Sequence, residues 1–146
     1  MTYRSDSTHE TKAIAADLAA TLKGGELVLL DGLLGAGKTT FVRGMTEALG
    51  ADTLARSPTF TVMNVYRANH PSVKQLVHLD FYRLTKPEEI HELGLEDWLG
   101  RPDTVVVAEW PPESLPVPSG TPIIRVTIEG TGEEPREFTV DAVTIS

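Results

Sequence analysis

Apolar positions along this chain switch between helical and alternating spacing, and the switches mark its elements. Ser7-Thr8-His9-Glu10 is a capping-box pattern with Ser7 as the N-cap. Ile14, Leu18 and Leu22 follow at i, i+4 and i+8, beside Ala15 and Ala19. That spacing predicts an amphipathic helix ending at Gly24-Gly25. Glu26-Leu27-Val28-Leu29-Leu30-Asp31 is a short, mostly apolar run and reads as a buried strand. Helical spacing returns from Thr39 to Leu49, with Gly50 as the stop signal.

The second half reads mainly as strands. Val62 to Arg67 alternates, Ala68-Asn69-His70-Pro71-Ser72 is a turn, and Lys74 to Asp80 returns. The pair predicts an antiparallel hairpin. Pro87 to Leu93 opens a helix with a proline and two acids in its first turn. Leu95 to Leu99 is a second short turn, stopped by Gly100 and Pro102. Thr104-Val105-Val106-Val107-Ala108 is the clearest buried strand, and a Pro-rich loop runs from Pro111 to Pro122. Ile123 to Glu129 and Arg136 to Val143 alternate around Gly130-Thr131-Gly132-Glu133, which predicts a terminal hairpin.

At 146 residues the chain reads as one domain, residues 1–146. A net charge of −8 argues against a stand-alone nucleic-acid binder, which needs clustered Lys and Arg. Any contact with RNA is therefore expected to run through a partner. The absence of cysteine excludes disulfides and Cys-based zinc sites. Met1 to Lys12 is polar, without the apolar core of a secretory signal. No apolar run approaches the roughly 20 residues that span a bilayer. A cytoplasmic protein with no membrane role is the expectation.

The candidate chemistry lies between the first strand and the second helix. Gly32-Leu33-Leu34-Gly35-Ala36-Gly37-Lys38-Thr39-Thr40 matches G-x-x-x-x-G-K-[ST], a phosphate-binding loop. Its glycines let the backbone curl close to a ligand. Its amides then form a concave anion nest. Gly35, Ala36, Gly37 and Thr40 supply backbone, Lys38 adds a charge for the β- and γ-phosphates, and the Thr39 hydroxyl can ligate Mg²⁺. A strand, this loop and a helix in that order place phosphate at a helix N-terminus. Downstream, Ser57-Pro58-Thr59-Phe60-Thr61 reads either as a strand entry or as a loop sensing the γ-phosphate or Mg²⁺.

Such a loop needs an acid at the end of a neighbouring buried strand to hold Mg²⁺ or its waters. Asp80 closes Leu76-Val77-His78-Leu79, and Glu109 closes Val105-Val106-Val107-Ala108. The second run is more continuously apolar and so the better central parallel strand. Glu109 is assigned to the metal or its water and Asp80 to a water-orienting role, and the two could be exchanged. Trp110 packs either near the base or ribose, or as a core aromatic beside Pro111. His78 and His91 have no partner at ligand spacing and read as structural or surface residues.

Several classes lack their residues here. No N-K-x-D occurs, and Asp80 is followed by Phe81-Tyr82-Arg83, unlike the D-x-x-G of GTP switches. No Arg-rich lid of a nucleotide kinase exists, and large motor ATPases need more residues. Five segments instead resemble one family. They are Gly35-Ala36-Gly37-Lys38-Thr39-Thr40-Phe41, Ser57-Pro58-Thr59-Phe60-Thr61, His78-Leu79-Asp80-Phe81-Tyr82-Arg83-Leu84, Glu92-Leu93-Gly94-Leu95-Glu96-Asp97 and Val107-Ala108-Glu109-Trp110-Pro111. In this order and spacing the chain resembles the bacterial TsaE (YjeE-type) ATPases of tRNA threonylcarbamoyladenosine synthesis.

The expected fold is then α/β, a P-loop NTPase-like three-layer sandwich around a mixed, largely parallel sheet with antiparallel hairpins. The resemblance implies a small ATPase that binds ATP and Mg²⁺ and docks on a TsaB–TsaD heterodimer. TsaD would transfer the threonylcarbamoyl group to adenosine 37 of tRNA, and this subunit would not. Its hydrolysis would reset the complex, slowly when alone. Lys38 and Thr39 would contact phosphates and metal, Glu109 would bind Mg²⁺, and Asp80 would be the essential aspartate. Thr8, in the N-terminal segment, and Arg136, in the last hairpin, are further nucleotide-binding candidates. Leu33 departs from the family's usual Asp. A nucleotide-gated binding module with incidental hydrolysis, or a small kinase, are the competing functions.

Overall fold

The computed structural model describes residues 2–32, 37–51, 63–81, 94–112, 115–130 and 136–144. Its elements are β1 (Thr2–Ser5), α1 (Thr8–Ala20), β2 (Leu27–Gly32), α2 (Lys38–Ala48), β3 (Met63–Arg67), β4 (Gln75–Asp80), a 3-10 turn (Leu95–Asp97), β5 (Thr104–Glu109), β6 (Pro122–Glu129) and β7 (Arg136–Thr144). The seven strands form one sheet in the order β1-β7-β6-β2-β5-β4-β3. The four central strands, β6, β2, β5 and β4, run parallel. Both flanks are antiparallel, through β3–β4 on one side and β6–β7–β1 on the other. The sheet is mixed as expected, with its parallel part confined to the centre.

Burial explains this order. Every residue of β5 is buried, as a strand covered on both faces must be. β6 is less covered, with Ile123 buried on one face and Val126 and Ile128 on the other, between half-buried and exposed positions. On one face of the sheet α1 and α2 cover Val28, Leu30, Leu76, Val105, Val107, Val126, Ile128 and Phe138. Phe41 of α2 stacks on Phe138 with ring centroids 5.8 Å apart. On the other face Leu95 and Leu99, with Phe81, Leu115 and Val117, cover Leu27, Leu29, Val77, Leu79, Val106 and Ala108.

The helix ends follow their caps. Ser7 caps α1, its Oγ accepting from the Glu10 amide at 3.1 Å. The Glu10 carboxylate reaches back to the Asp6 amide at 2.8 Å, one residue before the expected box partner. The helix stops at Ala20 rather than at Gly24-Gly25. There the Thr21 hydroxyl donates to the Leu18 carbonyl at 2.7 Å, and the Glu26 carboxylate collects the Lys23 and Gly24 amides. α2 ends as its sequence predicts. Ala51 N–H bonds Thr46 O at 2.8 Å and Gly50 N–H bonds Glu47 O at 3.1 Å, with Gly50 at a φ of 62°. This is a Schellman ending with glycine at the left-handed position.

The two hairpins, the 3-10 turn and the strand at Thr104 lie where the sequence places them. β1 was not among the elements read from the sequence. It is a polar edge strand, Thr2-Tyr3-Arg4-Ser5, ordered by antiparallel pairing with β7. The readings at Leu33 to Ala36, Ser57 to Thr61, Pro87 to Leu93 and Thr131 to Glu133 lie outside the described residues.

Candidate functional site

The parallel register decides which side chains meet. Asp80 pairs directly with Glu109, and His78 pairs with Val107. Leu30 of β2 pairs with Glu109 on its other side. Residues two apart share a face, so His78, Asp80 and Glu109 all stand on the face that carries Leu30 and α2. They lie at the C-terminal edge of the parallel strands, where open α/β sheets bind ligands.

α2 begins at the same edge. Gly37, its N-cap, has a φ of 103° and no side chain to cap the helix. The first helical bond runs from Phe41 N–H to Gly37 O at 2.9 Å. The amides of Lys38, Thr39 and Thr40 precede it and have no intrahelical acceptor. Such a terminus favours an anion through both its N–H groups and its dipole. A side chain at position 37 would meet Arg136, whose Cδ lies 3.3 Å from where a Cβ would stand. Arg136 opens β7 and pairs with Ser5. α1 starts just after Ser5, with Thr8 exposed in its first turn. The Ser5 hydroxyl bonds the Thr11 hydroxyl at 2.7 Å and ties the two elements together.

Lys38 is 5% exposed. Its Nζ donates to Gly32 O at 2.6 Å and stands 4.4 Å from the centroid of the Trp110 ring. Burial pushes its pKa below that of an ordinary lysine, and the nearby carboxylates of Glu109, Asp80 and Asp31 offset this only in part. Asp31 was not among the candidates read from the sequence. It also bonds Arg125 Nη1 at 2.5 Å. Trp110 follows Glu109 with a φ of 54°, a left-handed backbone that costs a non-glycine residue about 1–3 kcal/mol. Its indole meets the Lys38 ammonium and also packs against the core cluster of Leu27, Leu29 and Ala108.

Of the two readings of His78, structural or surface, the structure excludes the surface one, and it supplies a partner that the spacing did not: Nε2 lies 2.5 Å from Glu109 Oε2, with side chains 16% and 7% exposed. Diagonal neighbours on adjacent strands reach each other when their side chains are long. Nothing in the sequence spacing signals this pair, since only the β4–β5 register brings it together.

These residues suit a phosphorylated ligand. Three amides and a lysine ammonium face one edge, and Thr39 is exposed in the first turn of α2. Among the described residues, no group of three or more His, Cys, Asp and Glu side chains could hold a metal alone. Gly37, Lys38, Thr39, Thr40, Asp80, Glu109, Trp110 and Arg136 are thus all at, or on strands leading to, this edge. Gly35 and Ala36 lie outside the described residues. No helix among the described residues is long and apolar enough to cross a membrane.

A mixed sheet whose parallel centre ends in paired acids beside a Gly-Lys helix start defines an α/β protein of the nucleotide-binding kind. The comparisons with known proteins narrow this. The family model described as "Threonylcarbamoyl adenosine biosynthesis protein TsaE" matches residues 5–138. The tRNA threonylcarbamoyladenosine biosynthesis protein TsaE of Bacillus subtilis is 38% identical over 144 residues, covering 97% of this chain and 85% of the relative. Its counterpart in Rickettsia bellii is 40% identical over 132 residues, covering 90% of this chain and 88% of the relative. The crystal structure of YdiB from Bacillus subtilis matches with a TM-score of 0.66 and 32% identity, over 98% of this chain and 85% of that one. The chain belongs to the TsaE family.

Proposed function

We propose that this protein is the ATP-binding, Mg²⁺-dependent ATPase subunit of the complex that makes N6-threonylcarbamoyladenosine at position 37 of tRNA. It works in the cytoplasm as a single domain, beside a TsaB–TsaD-like pair that performs the transfer. It meets tRNA only through that complex. The observation that carries the reading is the meeting of Lys38, at the start of α2, with the paired acids Asp80 and Glu109. The names of its relatives supply the pathway.

Lys38, the α2 amides and the backbone of Gly35 to Gly37 would hold the phosphates. Thr39 and Glu109 would hold Mg²⁺, which draws charge from the phosphate oxygens. Asp80 would orient the attacking water. Trp110, Arg136 and Thr8 would border the nucleotide. A charge supplied by a partner to the transferring phosphate is worth roughly 10³–10⁵ in rate. The isolated chain should therefore hydrolyse ATP slowly. The test is ATP hydrolysis by the full chain with and without the TsaB–TsaD pair and tRNA. Stimulation by the pair is expected. Fast intrinsic hydrolysis that gains nothing from the pair would overturn the reading.

A further inference from the structure

Asp80 and Glu109 stand directly opposite each other on adjacent strands. Like charges so placed repel. Lys38 and His78 counter this. The Lys38 ammonium interacts with both carboxylates. His78, one pleat back on β4, bonds Glu109 at Oε2. With the proton on Nε2, the imidazole donates and the carboxylate accepts. The contact engages one carboxylate oxygen, Oε2, and leaves the other, Oε1, outside it. One oxygen is fixed and one is left for the site.

We propose that His78 is a positioning residue: its Nε2–H holds one oxygen of Glu109, keeps the carboxylate in one rotamer against the repulsion of Asp80, and so presents the second oxygen to the nucleotide site. His78 itself touches neither phosphate nor metal. The contact is 31 residues long in sequence and its partners are mostly buried, so little water competes for it. Outer partners that orient a ligating group typically change activity about 10–100-fold when removed. The kinetic arm of this inference rests on the nucleotide reading above, whereas its geometric arm does not.

The test combines two variants and one spectrum on the full chain. In His78→Leu the bond is lost. In His78→Gln an amide N–H returns near the position of Nε2. With ATP, Mg²⁺ and the TsaB–TsaD pair, His78→Leu should lower kcat about 10–100-fold with KM for ATP within about threefold, and His78→Gln should recover most of the loss. Imidazole ¹⁵N spectra of the nucleotide-free protein should show His78 protonated at Nε2, with a resonance that moves in Glu109→Gln. A wild-type kcat in His78→Leu, a His78→Gln as impaired as His78→Leu, or an unprotonated Nε2 would each overturn the proposal. If the wild-type protein neither binds nor hydrolyses ATP, the nucleotide reading fails, and the spectrum alone decides the role of His78.

Discussion

Replacing Gly44 with alanine should loosen the packing on which the site rests. Gly44 lies in α2 where that helix crosses α1, on the helix that carries Lys38 at its start. A Cβ there would stand 2.9 Å from Ala15 Cβ, 2.9 Å from Lys12 Cα and 3.1 Å from Lys12 O. Two effects oppose. Alanine in a helix interior is favoured over glycine by about 1 kcal/mol. Overpacking a tight contact costs about 1–3 kcal/mol. Two of the three clashes are with backbone atoms, which cannot swing aside, so the upper half of that range applies. The net expectation is a loss of about 1–2 kcal/mol, or a fall in Tm of roughly 2–8 °C for a chain of this size. Thermal and urea melts of the purified protein would read it. Adding Ala15→Gly should relieve part of the clash, so the pair should be less damaging than the sum of its singles by about 0.5 kcal/mol or more. A Gly44→Ala variant as stable as wild type, or an additive double variant, would refute the close-contact argument.

Three further outcomes concern the site. Lys38→Ala should weaken ATP binding about ten- to hundredfold, the worth of one charged hydrogen bond, and unchanged affinity by calorimetric titration would contradict its role. Burial lowers the Lys38 pKa. Bound phosphate favours the ammonium, so on the alkaline side ATP binding should take up a proton and weaken as pH rises. Calorimetry in two buffers of different ionisation enthalpy reads that uptake, which Lys38→Ala should abolish. Glu109→Gln should leave ATP bound while slowing hydrolysis about a hundredfold or more, and a phosphate-release assay showing normal rates would remove Glu109 from the chemistry.

Much of the frame was legible because local patterns carried it. β5 announces itself through four consecutive apolar residues, and it is the strand buried at every position. The hairpins announce themselves through alternation around turns. The Gly-Lys helix start is a local pattern too. What was not legible depends on partners distant in sequence. Thr2 to Ser5 has no apolar signal and is a strand only because β7 offers it an edge. α1 ends early because the Thr21 hydroxyl and the Glu26 carboxylate take the backbone groups that a longer helix would have used. The His78–Glu109 bond and the Lys38–Trp110 contact exist only once the register is set. Histidine spacing within the sequence could not reveal the first.

The strand order also bears on how the protein is made. β2 is the central strand, yet both of its neighbours, β5 and β6, come from the far half of the chain. During synthesis at about 5–20 residues per second, Leu27 to Leu30 must wait roughly 4–15 s before β5 has been made. α1 and α2 are already complete by then and can shield the Val28 and Leu30 side of the strand. The Leu27 and Leu29 side packs instead on Leu95 and Leu99, which are late as well. That face is where a nascent chain of this protein should first engage a chaperone.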